Sequence, residues 1–134
     1  MKTKAIIYWI LTALLALGVF SGGVSQLMQS KETLDGIMHL GYPLYFVIIL
    51  GVWKVLGAVA LVVPRFPRLK EWAYAGIFFE MTGAAASHIA CGDPSWHAVV
   101  TLAFAAMTVA SWALRPPGRT LGVIFGGGAL KKEA

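Results

Sequence analysis

Lys70 to Gly92 reads KEWAYAGIFFEMTGAAASHIACG, an apolar run with one carboxylate, Glu80, near its centre. Hydrocarbon is about 30 Å thick and a helix rises about 1.5 Å per residue, so Glu80 falls roughly 15 Å from Lys70, near the midplane. An ionised side chain at that depth costs roughly 2.5 to 3.5 kcal/mol on insertion-derived scales. Glu80 must therefore be paired, protonated or lining a wet cavity, and the rest of the chain has to supply what it needs.

The composition supports the bilayer reading. Of 134 residues 58% are hydrophobic and only 13% charged, and the mean hydropathy is +0.74. That is more apolar surface than a soluble domain of this size buries. The pI of about 9.6 does not point to nucleic acid, because the basic residues sit between apolar runs and form no patch with interleaved aromatics. Cys91 is the only cysteine, which excludes an intramolecular disulfide and a thiolate cluster.

From the N-terminus, MKTK precedes an apolar run from Ala5 to Leu27. It is longer than a signal-peptide core and no clear small-x-small cleavage site follows it, so it is expected to stay as a membrane helix. Ser30 to Leu40 is a polar interruption: Ser30 can cap a short interfacial helix, Glu32 suits its first turn and Gly41 can end it. Pro43 suits the first position of a second span running to Val63, closed by Pro64 and Pro67. The third span is Lys70 to Ala90. Asp93 and Pro94 read as cap and first position of a fourth, which reaches Leu114 before Arg115, Pro116 and Pro117. The expected fold is an all-α, four-transmembrane-helix bundle over residues 1–117, followed by a Gly-rich basic cytoplasmic tail over 118–134, which either rests on the bilayer or is disordered.

Lys2, Lys4, Arg65, Arg68, Lys70, Arg115, Arg119, Lys131 and Lys132 fall on one side of this bundle and Lys31 on the other. The positive-inside rule then puts both termini in the cytoplasm. Trp9, Trp72 and Trp112 fit the inner aromatic belt, and Tyr42, Tyr45 and Trp96 the outer one.

Depth and periodicity nominate the partner of Glu80. Lys54 lies 11 residues after Pro43, roughly 16 Å deep and level with Glu80. Gly51, Lys54, Gly57 and Ala58 form one stripe at helical spacing; Gly76, Glu80, Gly83, Ala84 and Ser87 form another. Small residues beside a charge allow close helix approach, so a buried Lys54–Glu80 pair between the second and third spans is expected. Gly18, Ser21, Gly22 and Ser25 supply a face of the first span; His97, Thr101, Ala105, Thr108 and Trp112 supply one of the fourth. The hydroxyls and glycines of such stripes are commonly packing devices only. Lys54, Glu80, His88, His97, Ser87 and Thr101 are the candidates for ligand binding or proton handling. His39, His88, Cys91, Asp93 and His97 offer metal-compatible groups, but no HxxxH, HExxH or CxxC spacing supports a metal site, and nucleotide, haem and nucleophile-elbow motifs are absent.

HLGYP at His39 to Pro43, Lys54 with Gly57, PRLKEWAYAG at Pro67 to Gly76, Glu80, GAAASH at Gly83 to His88 and GDP at Gly92 to Pro94 together resemble the DoxX-like family of small four-helix integral membrane proteins. The resemblance runs over residues 4–115. It implies a four-helix bundle in a bacterial inner membrane. Named members of that family are associated with thiosulfate-to-quinone electron transfer, related proteins join membrane oxidoreductase complexes, and distant animal relatives act as receptor-assembly chaperones. Two readings follow. In one, Lys54, Glu80, His88 and His97 surround a cavity open to the outer half of the bilayer, and the chain is a small-ligand or quinone-associated subunit of a membrane redox system. In the other, it is a scaffold or assembly chaperone whose ion pair fixes helix register. Possible partners are lipid, a quinone or other small apolar ligand, further copies of the chain, or other membrane subunits.

Overall fold

The computed structural model describes residues 2–120. It contains five α-helices and no strand among them: α1 (Lys2–Leu27), α2 (Lys31–His39), α3 (Leu44–Val62), α4 (Pro67–Ala90) and α5 (Ser95–Ala113), followed by a 3-10 turn at Pro117–Arg119. α1 packs mainly on α3, and α4 on α5. Contacts of α1 with α5 and of α3 with α4 close these two pairs into a ring of four.

α1, α3 and α5 are long and apolar enough to cross a membrane. α4 has the length, at 24 residues, but carries Arg68, Lys70, Glu71 and Glu80 and is less apolar. The outside of the bundle is apolar: Leu14, Leu17, Phe20, Val52, Trp53, Phe79, Val99 and Leu102 are all exposed. A belt of this kind needs hydrocarbon rather than water around it.

The core is small-chained and tight. Leu15 and Val19 of α1, Ala58 and Leu61 of α3, Tyr74, Ile77 and Met81 of α4, and Ala105 of α5 form one buried cluster. Between helices in lipid the hydrophobic effect contributes little, so these contacts hold by close dispersion packing and by polar cross-links. Thr12 Oγ1 lies 2.7 Å from Ser111 Oγ, and Tyr74 Oη lies 2.8 Å from the same oxygen, joining α1, α5 and α4. The closest approach of α1 and α3 is at Gly23 and Gly51: a Cβ on Gly23 would come 3.0 Å from the Gly51 carbonyl oxygen, and one on Gly51 equally close to that of Gly23.

Several sequence expectations shift here. Pro43 and Pro94 stand at the cap positions of α3 and α5, one residue before the first helical turn. Ser30 precedes α2 as expected, yet its hydroxyl donates to Thr33 Oγ1 at 2.8 Å and leaves the backbone N–H groups alone. Gly41 and Gly92 end α2 and α4 with φ of 95° and 73°, conformations that glycine adopts without strain.

The two glycines of the α4 stripe do not face a neighbouring helix. Gly76 and Gly83 are exposed, with nothing within 4 Å of a Cβ built on either. The buried face of α4 is instead Lys70, Tyr74, Ile77, Met81 and Ala85. On α1 the buried face is Tyr8, Thr12, Leu15, Ala16, Val19, Gly23 and Gln26, while Gly18 and Gly22 of the expected face meet Phe104 of α5 and Lys54 of α3. Residues 121–134, most of the expected tail, lie outside the described residues.

Candidate functional site

Polar groups gather at three levels of the bundle. At one end, which can be called basic, α3 finishes at Val62 and its last carbonyls have no partner within the helix. Two cations supply one. Lys70 Nζ donates to Ala60 O at 2.9 Å and to Val63 O, and Arg119 Nη2 donates to Leu61 O, Val62 O and Val63 O at 2.9, 2.9 and 3.0 Å. Positive charge beside the negative end of a helix dipole is favourable. Beside them Arg115 Nη2 donates to Glu71 Oε1 at 3.1 Å, and Trp112 Nε1 donates to Glu71 Oε2 at 2.8 Å. Lys70 and Arg115 are buried. Both were read from sequence as surface topology signals, and Trp112 as an interfacial anchor. In the fold all three side chains turn inward.

At mid-depth Lys54 Nζ lies 3.1 Å from Glu80 Oε1, with side chains 14% and 20% exposed. Behind the ammonium is α1, where a Cβ on Gly22 would stand 3.6 Å from Lys54 Nζ. The pair therefore sits where α1, α3 and α4 meet. Gln26 follows Gly22 by one helical turn, about 6 Å along α1. It is only 5% exposed, and its Oε1 has no hydrogen-bond partner among the described residues. A buried acceptor left unmatched costs about 1 to 3 kcal/mol, so this oxygen, one turn along α1 from the contact with Lys54, is chemically significant. Sequence reasoning missed Gln26; the signal was an amide on the face that also carries Gly22 and Gly23.

At the opposite end Asp93 links two histidines. His39 Nε2 lies 2.6 Å from Oδ1 and His88 Nδ1 lies 2.7 Å from Oδ2. These two hydrogen bonds, His88 first, hold the Asp93 carboxyl below its ordinary value. Asp93 was read as a helix cap, but the histidines take up its oxygens. The His88 and His97 rings stack with centroids 4.8 Å apart, and Trp96 stacks on His97 at 3.8 Å. Tyr42 Oη, in the segment just before α3, lies 2.7 Å from Ser87 Oγ of α4, about two turns above Glu80. Among the described residues no three of His, Cys, Asp and Glu converge as metal ligands would.

The fold thus brings Lys54 to Glu80 and His88 to His97, and ties Ser87 to Tyr42. The Thr101 hydroxyl is taken up within its own helix, donating to His97 O and Ala98 O at 3.2 and 3.0 Å. Thr82 and Thr108 are likewise spent on their own helices. Two grooves open on the bundle surface, one of about 460 Å³ between α1 and α3 at Ala13, Ala16, Phe20 and Val59, the other of about 350 Å³ between α4 and α5. Neither is lined by Lys54, Glu80, His88 or His97.

A model described as the DoxX-like family matches residues 10–111, which takes in most of α1 and α5 and everything between them. No curated protein and no solved structure matches the chain.

Proposed function

The chain belongs to the DoxX-like family, and on that premise we propose that it is a four-span protein of the bacterial inner membrane with both termini in the cytoplasm. α4 is the third of the four spans in this reading. In support, its 24 residues reach about 36 Å, and it occupies the place in the ring between α3 and α5. The cations Arg68, Lys70, Arg115 and Arg119 share the end where α1 begins, as cytoplasmic loops do. α2 then lies along the outer surface.

Within that frame the protein is a ligand-carrying, proton-handling subunit of a membrane redox system, and Lys54 and Glu80 hold a small lipid-soluble ligand such as a quinone. The observation that carries this is the pair itself, 3.1 Å apart near the middle of two helices. Ions at that depth are expensive, and packing alone does not call for them. An ammonium can donate to a ligand carbonyl, a carboxylate can take up or release a proton, and the unmatched Gln26 oxygen offers a third contact. His88, Asp93 and His39 extend the set of proton carriers to the outer surface. The test is mass spectrometry and absorption spectroscopy of gently purified protein, wild type against Lys54→Met/Glu80→Leu. A bound quinone-type ligand in the wild type that is lost from a folded double variant supports the reading. Equal ligand content in both overturns it.

A second reading, assembly of other membrane helices, draws on Gly76 and Gly83. Their open strip on α4 is suited to close approach by another helix. Gly83→Leu would then disrupt a complex visible on native gels while leaving the isolated chain folded.

A further inference from the structure

We propose that the groove between α4 and α5 is a second binding site, for a lipid-soluble hydroxyaromatic molecule whose hydroxyl donates to Glu71. It is lined by Glu71, Tyr74, Phe78, Phe79, Thr108 and Trp112 and has a volume of about 350 Å³. That lies at the lower end of the range of small-molecule sites, about 300 to 1,000 Å³, and suits one ring with a short tail. Glu71 precedes Glu80 by nine residues, roughly 13 Å along α4, and faces α5 where Glu80 faces α3. The inference therefore does not rest on the Lys54–Glu80 reading.

The donor and acceptor pattern selects the ligand. Trp112 Nε1 donates to Glu71 Oε2 at 2.8 Å with a longer contact to Oε1 at 3.4 Å, and Arg115 Nη2 donates to Oε1 at 3.1 Å with a longer contact to Oε2 at 3.4 Å. The single indole hydrogen and the two on Nη2 do not fill the roughly four acceptor positions of a carboxylate, so room for one further donor remains. The Glu71 side chain is 30% exposed, while that of Arg115, behind it, is 0% exposed. A ligand arriving through the groove thus meets an acceptor and no free donor. Because Arg115 already balances the charge, a neutral hydroxyl matches the site better than an ammonium, which would leave a net positive charge in low dielectric. The Thr108 hydroxyl is committed to Phe104 O at 2.7 Å, so it adds no competing donor. The walls are aromatic, with the Phe78 and Phe79 rings 5.6 Å apart at 73° and Phe79 exposed. Such walls favour a flat aromatic body over a lipid chain.

The test is calorimetric titration of the full-length protein in lipid nanodiscs with 4-hexylphenol and with its methyl ether, each corrected against empty nanodiscs. A hydrogen bond to a charged acceptor corresponds to about tenfold or more in affinity. Saturable binding of the phenol, with the ether weaker by at least about tenfold, is expected. Ala75→Trp fills the groove from α4 while keeping Glu71 and Arg115 themselves, and should abolish binding while the melting temperature holds. Val109→Trp does the same from α5 and replaces it if the first variant fails to fold. No saturable binding by the wild type, equal binding of phenol and ether, or undiminished binding in a folded filled variant would each overturn the proposal.

Discussion

Lys54 on α3 meets Glu80 on α4 at 3.1 Å, directly in front of Gly22 on α1. Three helices therefore share one charge contact, and the two ions should be energetically coupled. Removing one leaves the other unpaired in low dielectric. That costs about 3 kcal/mol, the low end for buried pairs because both side chains keep some exposure. Lys54→Met and Glu80→Gln should each lower the melting temperature in detergent more than the double change does. Strictly additive losses would show that the two ions do not act as a pair.

The glycines should divide into two classes. A Cβ on Gly23 would stand 2.8 Å from Lys54 Cβ and 3.0 Å from the Gly51 carbonyl oxygen, so Gly23→Ala must push α1 off α3 and destabilise the bundle by about 1 to 3 kcal/mol. A Cβ on Gly76 or Gly83 meets open space. Gly76→Ala and Gly83→Ala should leave the melting temperature unchanged or raise it, by up to about 1 kcal/mol, through better helix propensity. A loss at Gly83 as large as that at Gly23 would contradict the packing described.

Two arginines with similar sequence context should behave differently. Arg115 is buried against Glu71, with its guanidinium carbon 5.2 Å from the Tyr74 ring centroid, whereas Arg68 is exposed. Arg115→Met leaves Glu71 without its counter-ion and should cost about 3 kcal/mol. Arg68→Met should stay within about 0.5 kcal/mol. Thermal melts of the two variants side by side decide the matter.

The helices themselves were legible because apolar runs of membrane length bounded by Pro and Gly leave little alternative, and their ends moved by only a few residues. Lys54 and Glu80 were legible chiefly through depth, since a helix fixes axial position by residue count, with the small residues at helical spacing beside each as the second signal. Facing direction was less secure. Gly76 and Gly83 share a helical stripe with Glu80, but smallness permits close packing without compelling it, and the bulkier Tyr74, Ile77 and Met81 won the interior. The inward turn of the basic end was illegible for a different reason. Lys70 and Arg115 have the composition of loop cations, and only the packing of α3 shows that its bare carbonyls and the Glu71 carboxylate draw them inward.

Acid should weaken the end that carries the histidines. Hydrogen bonds from His88 and His39 depress the Asp93 carboxyl in the folded protein from its ordinary 3.8. Its contribution is therefore complete above about pH 3.8 and is lost as pH falls through the depressed value. The groups facing it are His39 from α2 and His88 from α4, with His97 of α5 stacked on His88. Melting temperatures of wild type and Asp93→Asn, followed from pH 6 to 3, should differ at the upper end and converge towards the lower. A gap that stays constant across the range would show that Asp93 does not act through its charge.

Whether α4 crosses the membrane can be decided with the native cysteine. Cys91 is exposed just beyond the end of α4, and Arg68 lies in its first turn. If α4 spans, these positions are on opposite sides. A surface-lying α4 would put both on the same side, and Glu80 would not lie at the midplane. A membrane-impermeant maleimide added to intact cells should label wild-type Cys91 from outside. In a Cys91→Ala background it should leave Arg68→Cys unlabelled until the membrane is permeabilised, in keeping with the gathering of Arg68, Lys70, Arg115 and Arg119 at one end. Labelling of both positions from the same side would remove α4 from the spans. It would also undercut the cost argument that makes Lys54 and Glu80 a site, because an ion pair at the interface is cheap to hold and needs no function to explain it.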